Sequence, residues 1–160
     1  MLTPAELAGA FARNVAVLKM QADGLTDADS LLQPPFRGNC LNWVIGHILT
    51  SRDDVLDALG EARVMGAAGS RYARESDAVT AAGEGVLPLA ELLAWLDEAQ
   101  ARTAAALDRL DEDALAREIA AGERKTTVAK RLFFLYFHET YHVGQAELLR
   151  QLAGKNDKVI

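Results

Sequence analysis

The run VAKRLFFLYFHETYHVGQAELLRQLA, residues 128–153, decides the fold class. It contains no proline and one glycine, Gly144, over a length of about seven helical turns. Val128, Leu135, His138, His142, Gln145, Leu149 and Leu152 fall on one stripe at helical spacing. Thr126 or Thr127 can cap the start, and Gly154 stops it. Phe133, Phe134, Tyr136 and Phe137 ring this helix on several faces, which predicts a central helix or one that contacts a second copy of the chain.

Three further long helices precede it. Thr3-Pro4-Ala5-Glu6 pairs an N-cap hydroxyl with a carboxylate three residues on and puts proline at the first helical position. Leu7, Phe11, Val15 and Leu18 then line one face of a helix over about 4–23. Residues 24–38 read as a connector with at most one short turn near 27–32. Asn39 is placed to cap a second helix carrying Leu41, Ile45, Ile48, Val55, Leu56 and Leu59 up to Gly60. Residues 60–87 hold five of the twelve glycines and no sustained apolar period, so they form a connection long enough to span a helix. Pro88 opens a third helix to about residue 110, and 111–125 reads as a linker with one small helix.

No segment alternates with a period of two, so no sheet is expected. The predicted class is all-α: one domain over residues 1–160, a four-helix bundle in which the long crossover between helices two and three permits those two to run parallel.

Composition limits the function. Half of the 160 residues are apolar and a quarter charged, as in a soluble globular domain, which excludes disorder and fibrous repeats. A net charge of −6 has the wrong sign for collecting phosphates, so no nucleic-acid partner is expected. Cys40 is the single cysteine and can form no internal disulfide, which fits a reducing compartment. With no membrane-length apolar run and no leader pattern at the start, a cytoplasmic protein without a membrane partner is expected.

All three histidines fall within predicted helices. His138 and His142, four apart, project from one helical face with Cβ atoms about 5–6 Å apart, close enough to ligate one ion. His47 can be a third ligand if helices two and four are neighbours. The competing interpretation is three unrelated, hydrogen-bonded core histidines. His138-Glu139-Thr140-Tyr141-His142 also matches HExxH, in which the glutamate is the general base of a zinc protease. After His142, however, no further histidine or strand follows to complete such a site, and Glu147 lies well off its face.

Neighbouring residues have two readings each. Glu139 is either solvated or accepts the distal N–H of a ligand histidine, fixing its tautomer. Tyr141 lies about 100° around the helix from His142 and serves packing or an interface rather than acid catalysis. Gln145, three residues beyond His142, can orient a ligand, a water or another helix. Asp54, two turns past His47, is either a remote acid or an exposed helix-end charge. Cys40, at a helix start, is read as inert.

The segment from His138 to Gln145, continuing to Leu149-Arg150 and Gly154-Lys155, resembles the last helix of the DinB-like (DinB/YfiT) metalloenzyme family. Asn42-Trp43 through Gly46-His47 resembles its second helix. The resemblance implies a four-helix bundle in which His47, His138 and His142 bind one divalent ion, zinc or nickel, with water completing the shell, often in a homodimer. It further implies a small-molecule substrate, with a metal-dependent hydrolase or transferase as the activity. Thiol S-transfer using bacillithiol, mycothiol or glutathione is the leading case. The alternative is a non-catalytic dimeric stress-response or binding module in which the metal is absent or structural.

Overall fold

The computed structural model describes residues 3–160. Helix α1 (Pro4–Ala22) starts with the expected reciprocal cap: Thr3 Oγ1 accepts the Glu6 N–H at 3.2 Å, and Glu6 Oε2 accepts the Thr3 N–H at 2.8 Å. The turn α2 (Asp27–Ser30) repeats the device with Thr26 and Asp29. The second long helix is α3 (Leu41–Leu59), closed by Gly60 at φ +78°. Its N-cap is Cys40, not Asn39, and no side chain caps it. The buried Cys40 thiol instead donates to the Val79 carbonyl at 3.1 Å, which tethers the crossover and fits the inert reading.

The crossover contains a 3-10 segment, Gly66–Tyr72, and delivers the chain to α4 (Leu89–Asp108). A short helix α5 (Glu112–Ala116) follows, and α6 (Val128–Leu152) closes the bundle, with Thr127 Oγ1 accepting the Lys130 N–H at 3.3 Å. Between α5 and α6 the expectation of no sheet is corrected. Strands β1 (Glu118–Ala121) and β2 (Arg124–Thr127) pair antiparallel, Glu118 opposite Thr127 and Ala121 opposite Arg124. Gly122, at φ +61°, takes the first place of the two-residue turn, a position that favours glycine.

Cross-helix pairs give the topology. Phe11 meets Tyr136 and Gln21 meets Arg150, so α1 and α6 run parallel. Ser51 meets His138 and Asp54 meets Arg131, so α3 and α6 are antiparallel. Asn42 meets Leu87 and Arg52 meets Gln100, so α3 and α4 run parallel, as the long crossover permits. Each helix touches two neighbours, with α1 diagonal to α3. Among the described residues no helix is long and apolar enough to cross a membrane.

The core is divided. One apolar cluster holds Leu18, Ile45, Leu49, Leu92, Leu96 and Leu149, and the other holds Leu7, Phe11, Val55, Leu107 and Leu132. Between them lies a polar layer centred on Arg52, fully buried on α3. Its Nε and Nη2 donate to the two oxygens of Glu139 on α6 at 2.5 and 2.9 Å. Nη1 donates to Gln100 Oε1 on α4 at 2.9 Å, and Nη2 donates to the Phe11 carbonyl on α1 at 3.0 Å. One side chain thereby joins all four long helices. Asn14 and Thr140, hydrogen-bonded at 3.0 Å, extend the layer.

Candidate metal centre

Helices α3 and α6 bring His47, His138 and His142 together, one nitrogen of each lying within 4.8 Å of those of the other two. The tautomers follow from what each ring touches outside the cluster. His47 Nδ1–H donates to the Tyr72 carbonyl at 2.8 Å. His138 Nδ1–H donates to Ser51 Oγ at 3.1 Å, and that hydroxyl reaches on to the His47 carbonyl at 3.2 Å. His142 Nδ1–H donates to Gln145 Oε1 at 2.8 Å. With every Nδ1 committed, the inward nitrogen of each ring is Nε2, carrying a lone pair. The Nε2 atoms of His138 and His142 are 3.2 Å apart.

Lone pairs facing each other repel unless a proton or a metal ion sits between them. A proton is disfavoured at neutral pH. His142 is pushed down to about 4, chiefly by burial, which outweighs the opposing hydrogen bond to Gln145 and is helped by the His138 and His47 imidazoles. Burial likewise lowers His47, against the Tyr72 carbonyl. In His138 burial acts first, with the fields of His47, Arg131 and Arg74 adding to it. The His138–His142 separation suits a shared divalent ion, and His47 stands close enough to be a third donor. Nitrogens about 2.05 Å from one ion, at angles of about 90–110°, lie about 2.9–3.4 Å apart.

The lowered histidines set the sign of a pH dependence. Below their ordinary value of 6.5 the unfolded chain takes up protons that the folded site refuses. Metal-free protein therefore keeps this stability above pH 6.5 and loses it as pH falls towards about 4. Urea midpoints measured with chelator across this window are expected to fall with pH, and to fall less steeply in His142→Gln.

A family model described as the DinB superfamily matches residues 10–146. The chain belongs to the DinB superfamily. Among solved structures it is similar to that of a conserved protein of a locus from Enterococcus faecalis, with a TM-score of 0.74 and 19% identity over 96% of this chain and 98% of that one. This likeness shows the fold. No curated protein matches the sequence.

In this DinB-superfamily bundle the flanking residues separate clearly. Gln145 orients His142. Glu139 neither faces solvent nor accepts from a histidine, because Arg52 holds both its oxygens. Tyr141 is 60% exposed, its ring edge-on to His142 at 5.3 Å, with no hydrogen bond to the cluster. Asp54 is a half-exposed charge paired with Arg131 at 2.7 Å.

Three further residues touch the cluster; Trp43 entered the sequence reading only within the family resemblance, and Ser51 and Tyr72 were not singled out. Ser51 lies four residues after His47, so helical spacing alone places it near the cluster. Trp43, four residues before His47, stacks on its ring at 4.6 Å. Tyr72 contributes a backbone carbonyl, which leaves no trace in residue type. Its ring is anchored where the hydroxyl donates to Asn42 Oδ1 at 3.2 Å and accepts the Leu87 N–H at 2.7 Å. Asp53 fixes the start of the same segment by accepting the N–H groups of Val64, Met65 and Gly66 at 2.7, 3.3 and 3.2 Å.

Gly46 is required by this packing. A Cβ there would stand 2.1 Å from Cδ1 and 2.3 Å from Cγ of Tyr72, at the base of a buried ring that cannot swing aside. Gly46→Ala is expected to cost about 1–3 kcal/mol and to draw the Tyr72 carbonyl off His47. Thermal unfolding and metal affinity, measured together, check this.

Beside the cluster an open cleft of about 580 Å³ runs between α3, α6 and the 3-10 segment, with His47 and His138 in its wall. Ala67, Ala73, Phe134 and Leu135 make it apolar, and Arg63, Arg74 and Arg131 bring positive charge.

Proposed function

We propose that this DinB-superfamily protein is a metal-dependent enzyme in which His47, His138 and His142 hold one divalent ion, zinc or nickel. The observation that carries the reading is the convergence of three imidazoles whose outer nitrogens are all committed elsewhere. Three protein ligands leave positions open to a small molecule, as catalytic sites do and closed structural zinc sites do not. When bound, the ion supplies an electrophilic centre that lowers the pKa of a thiol or water it binds.

The chain's own residues narrow the reaction. A hydrolase of the HExxH type needs a free glutamate as general base, and Glu139 is bound on both oxygens by Arg52. Asp53 is spent on three backbone amides, and Asp54 is paired with Arg131. No uncommitted carboxylate lines the cleft among the described residues. That favours a nucleophile with an acidic proton of its own, so the finer proposal is thiol S-transfer with a low-molecular-weight thiol. Tyr72, Ser51 and Gln145 hold the three rings in the tautomer that presents Nε2, and the cleft admits the substrate from the His138 side.

Metal content by mass spectrometry on protein purified without a histidine tag tests the reading. About one equivalent of metal is expected. None, even after zinc or nickel is offered, would overturn it and leave a non-catalytic binding module.

A further inference from the structure

Arg131, on α6, lines the cleft two helical turns before His138 and is held in place without being saturated. Its side chain is 25% exposed, its guanidinium carbon lies 5.9 Å from the Phe134 ring centre, and Nη2 donates to Asp54 at 2.7 Å. Its Nε and Nη1 have no hydrogen-bond partner among the described residues. A guanidinium offers five N–H donors in a planar fork, and one held on a single side by Asp54 leaves the others open to a planar anion entering the cleft.

Among the described residues Asp54 is the one carboxylate on Arg131, since Arg63 is bound by Asp57 and stands 3.8 Å from Asp54, and Asp53 is turned to the backbone. Arg63 is held by Asp57 at 2.5 Å and Arg74 lies 3.7 Å from Glu75, so among the three arginines of the cleft it is Arg131 that stands beside the apolar walls with donors to spare. Those small apolar walls match a hydrocarbon stem.

We propose that Arg131 is a specificity residue that binds the carboxylate of an amphiphilic small-molecule substrate, whose opposite end reaches His47 and His138. Seven residues of α-helix rise about 10.5 Å, so the carboxylate and the opposite end are about 10 Å apart. That the opposite end is the reacting one rests on the function proposed above; the carboxylate site does not.

Binding of octanoate and of octanamide to the metal-free full chain, followed by amide chemical shifts, tests the carboxylate site. Octanoate is expected to shift signals of the cleft wall, such as Ser70 and Phe134, and to bind about five- to tenfold more tightly than octanamide. Arg131→Gln is expected to abolish that preference. Arg131→Lys, which keeps the charge without the fork, should retain part of it, and Arg74→Gln, on a side chain 88% exposed, should retain most. Equal binding of the two probes by wild type, or an unchanged preference in Arg131→Gln, would overturn the proposal. Metal content measured on the same preparations keeps the two ideas apart. Metal without the preference sinks only the carboxylate site, and the preference without metal sinks only the metal-dependent function.

Discussion

Arg52→Ala and Glu139→Ala are each expected to destabilise the protein by about 3–5 kcal/mol, because either change leaves an unpaired charge in the middle of the core. Arg52 is fully buried and Glu139 is 1% exposed, so water cannot take over the lost contacts. Arg52→Ala also strands Gln100 and the Phe11 carbonyl, which ties the loss to three helices at once. For a chain of this length the fall in Tm should be about 10 °C or more. Replacing both partners, as in Arg52→Met with Glu139→Leu, should restore much of the stability, since a buried pair repays little beyond its own desolvation. Urea unfolding of the two single variants and the double variant forms the cycle. Single variants within about 0.5 kcal/mol of wild type would show that the pair is not buried as described. Glu139→Gln separates the two roles: it should keep its metal but lose stability, whereas a general-base glutamate predicts metal and stability kept with activity lost.

The second large effect concerns the metal. His138→Ala and His142→Ala are each expected to reduce binding from about one equivalent to none, and His47→Ala likewise, since two imidazoles are a poor site for a divalent ion. The residues that orient the rings should matter less. Gln145→Ala and Ser51→Ala are expected to weaken affinity about 10- to 100-fold with the stoichiometry unchanged. Competition with a chromophoric chelator separates the two classes. Full metal retention in His142→Ala would show that the cluster is a set of packed histidines and no ligand site.

Much of this was legible in the sequence. The spacing of His138 and His142 on a long, uninterrupted helix put two imidazoles on one face, and the resemblance of Asn42 to His47 pointed to the third; the fold brings all three together. The caps at Thr3 and Thr127 and the stop at Gly60 gave helix ends to within a residue or two. The strands at 118–121 and 124–127 were not visible, because four residues are too few to establish alternation; the usable signal was Gly122 between Ile119 and Thr126. Glu139 was misread because its partner, Arg52, is 87 residues away in the chain, and an HExxH pattern carries no information about burial. Tyr72 was invisible because its useful atom belongs to the backbone.

Arg52 and Glu139 also act as an alignment gauge. Glu139 directly follows His138, and Arg52 is five residues beyond His47, so the ion pair and the histidine cluster are successive rungs between the same two helices. Sliding α6 by one turn, about 5.4 Å, would lift Glu139 off Arg52 and set a bare carboxylate against leucines. The bundle therefore has one permitted helix height, and the three histidines inherit it. Drift in the surrounding leucines, alanines and valines can change how tightly the helices pack without changing how far His138 stands from His47. The three-histidine geometry can then persist in sequences that share little else.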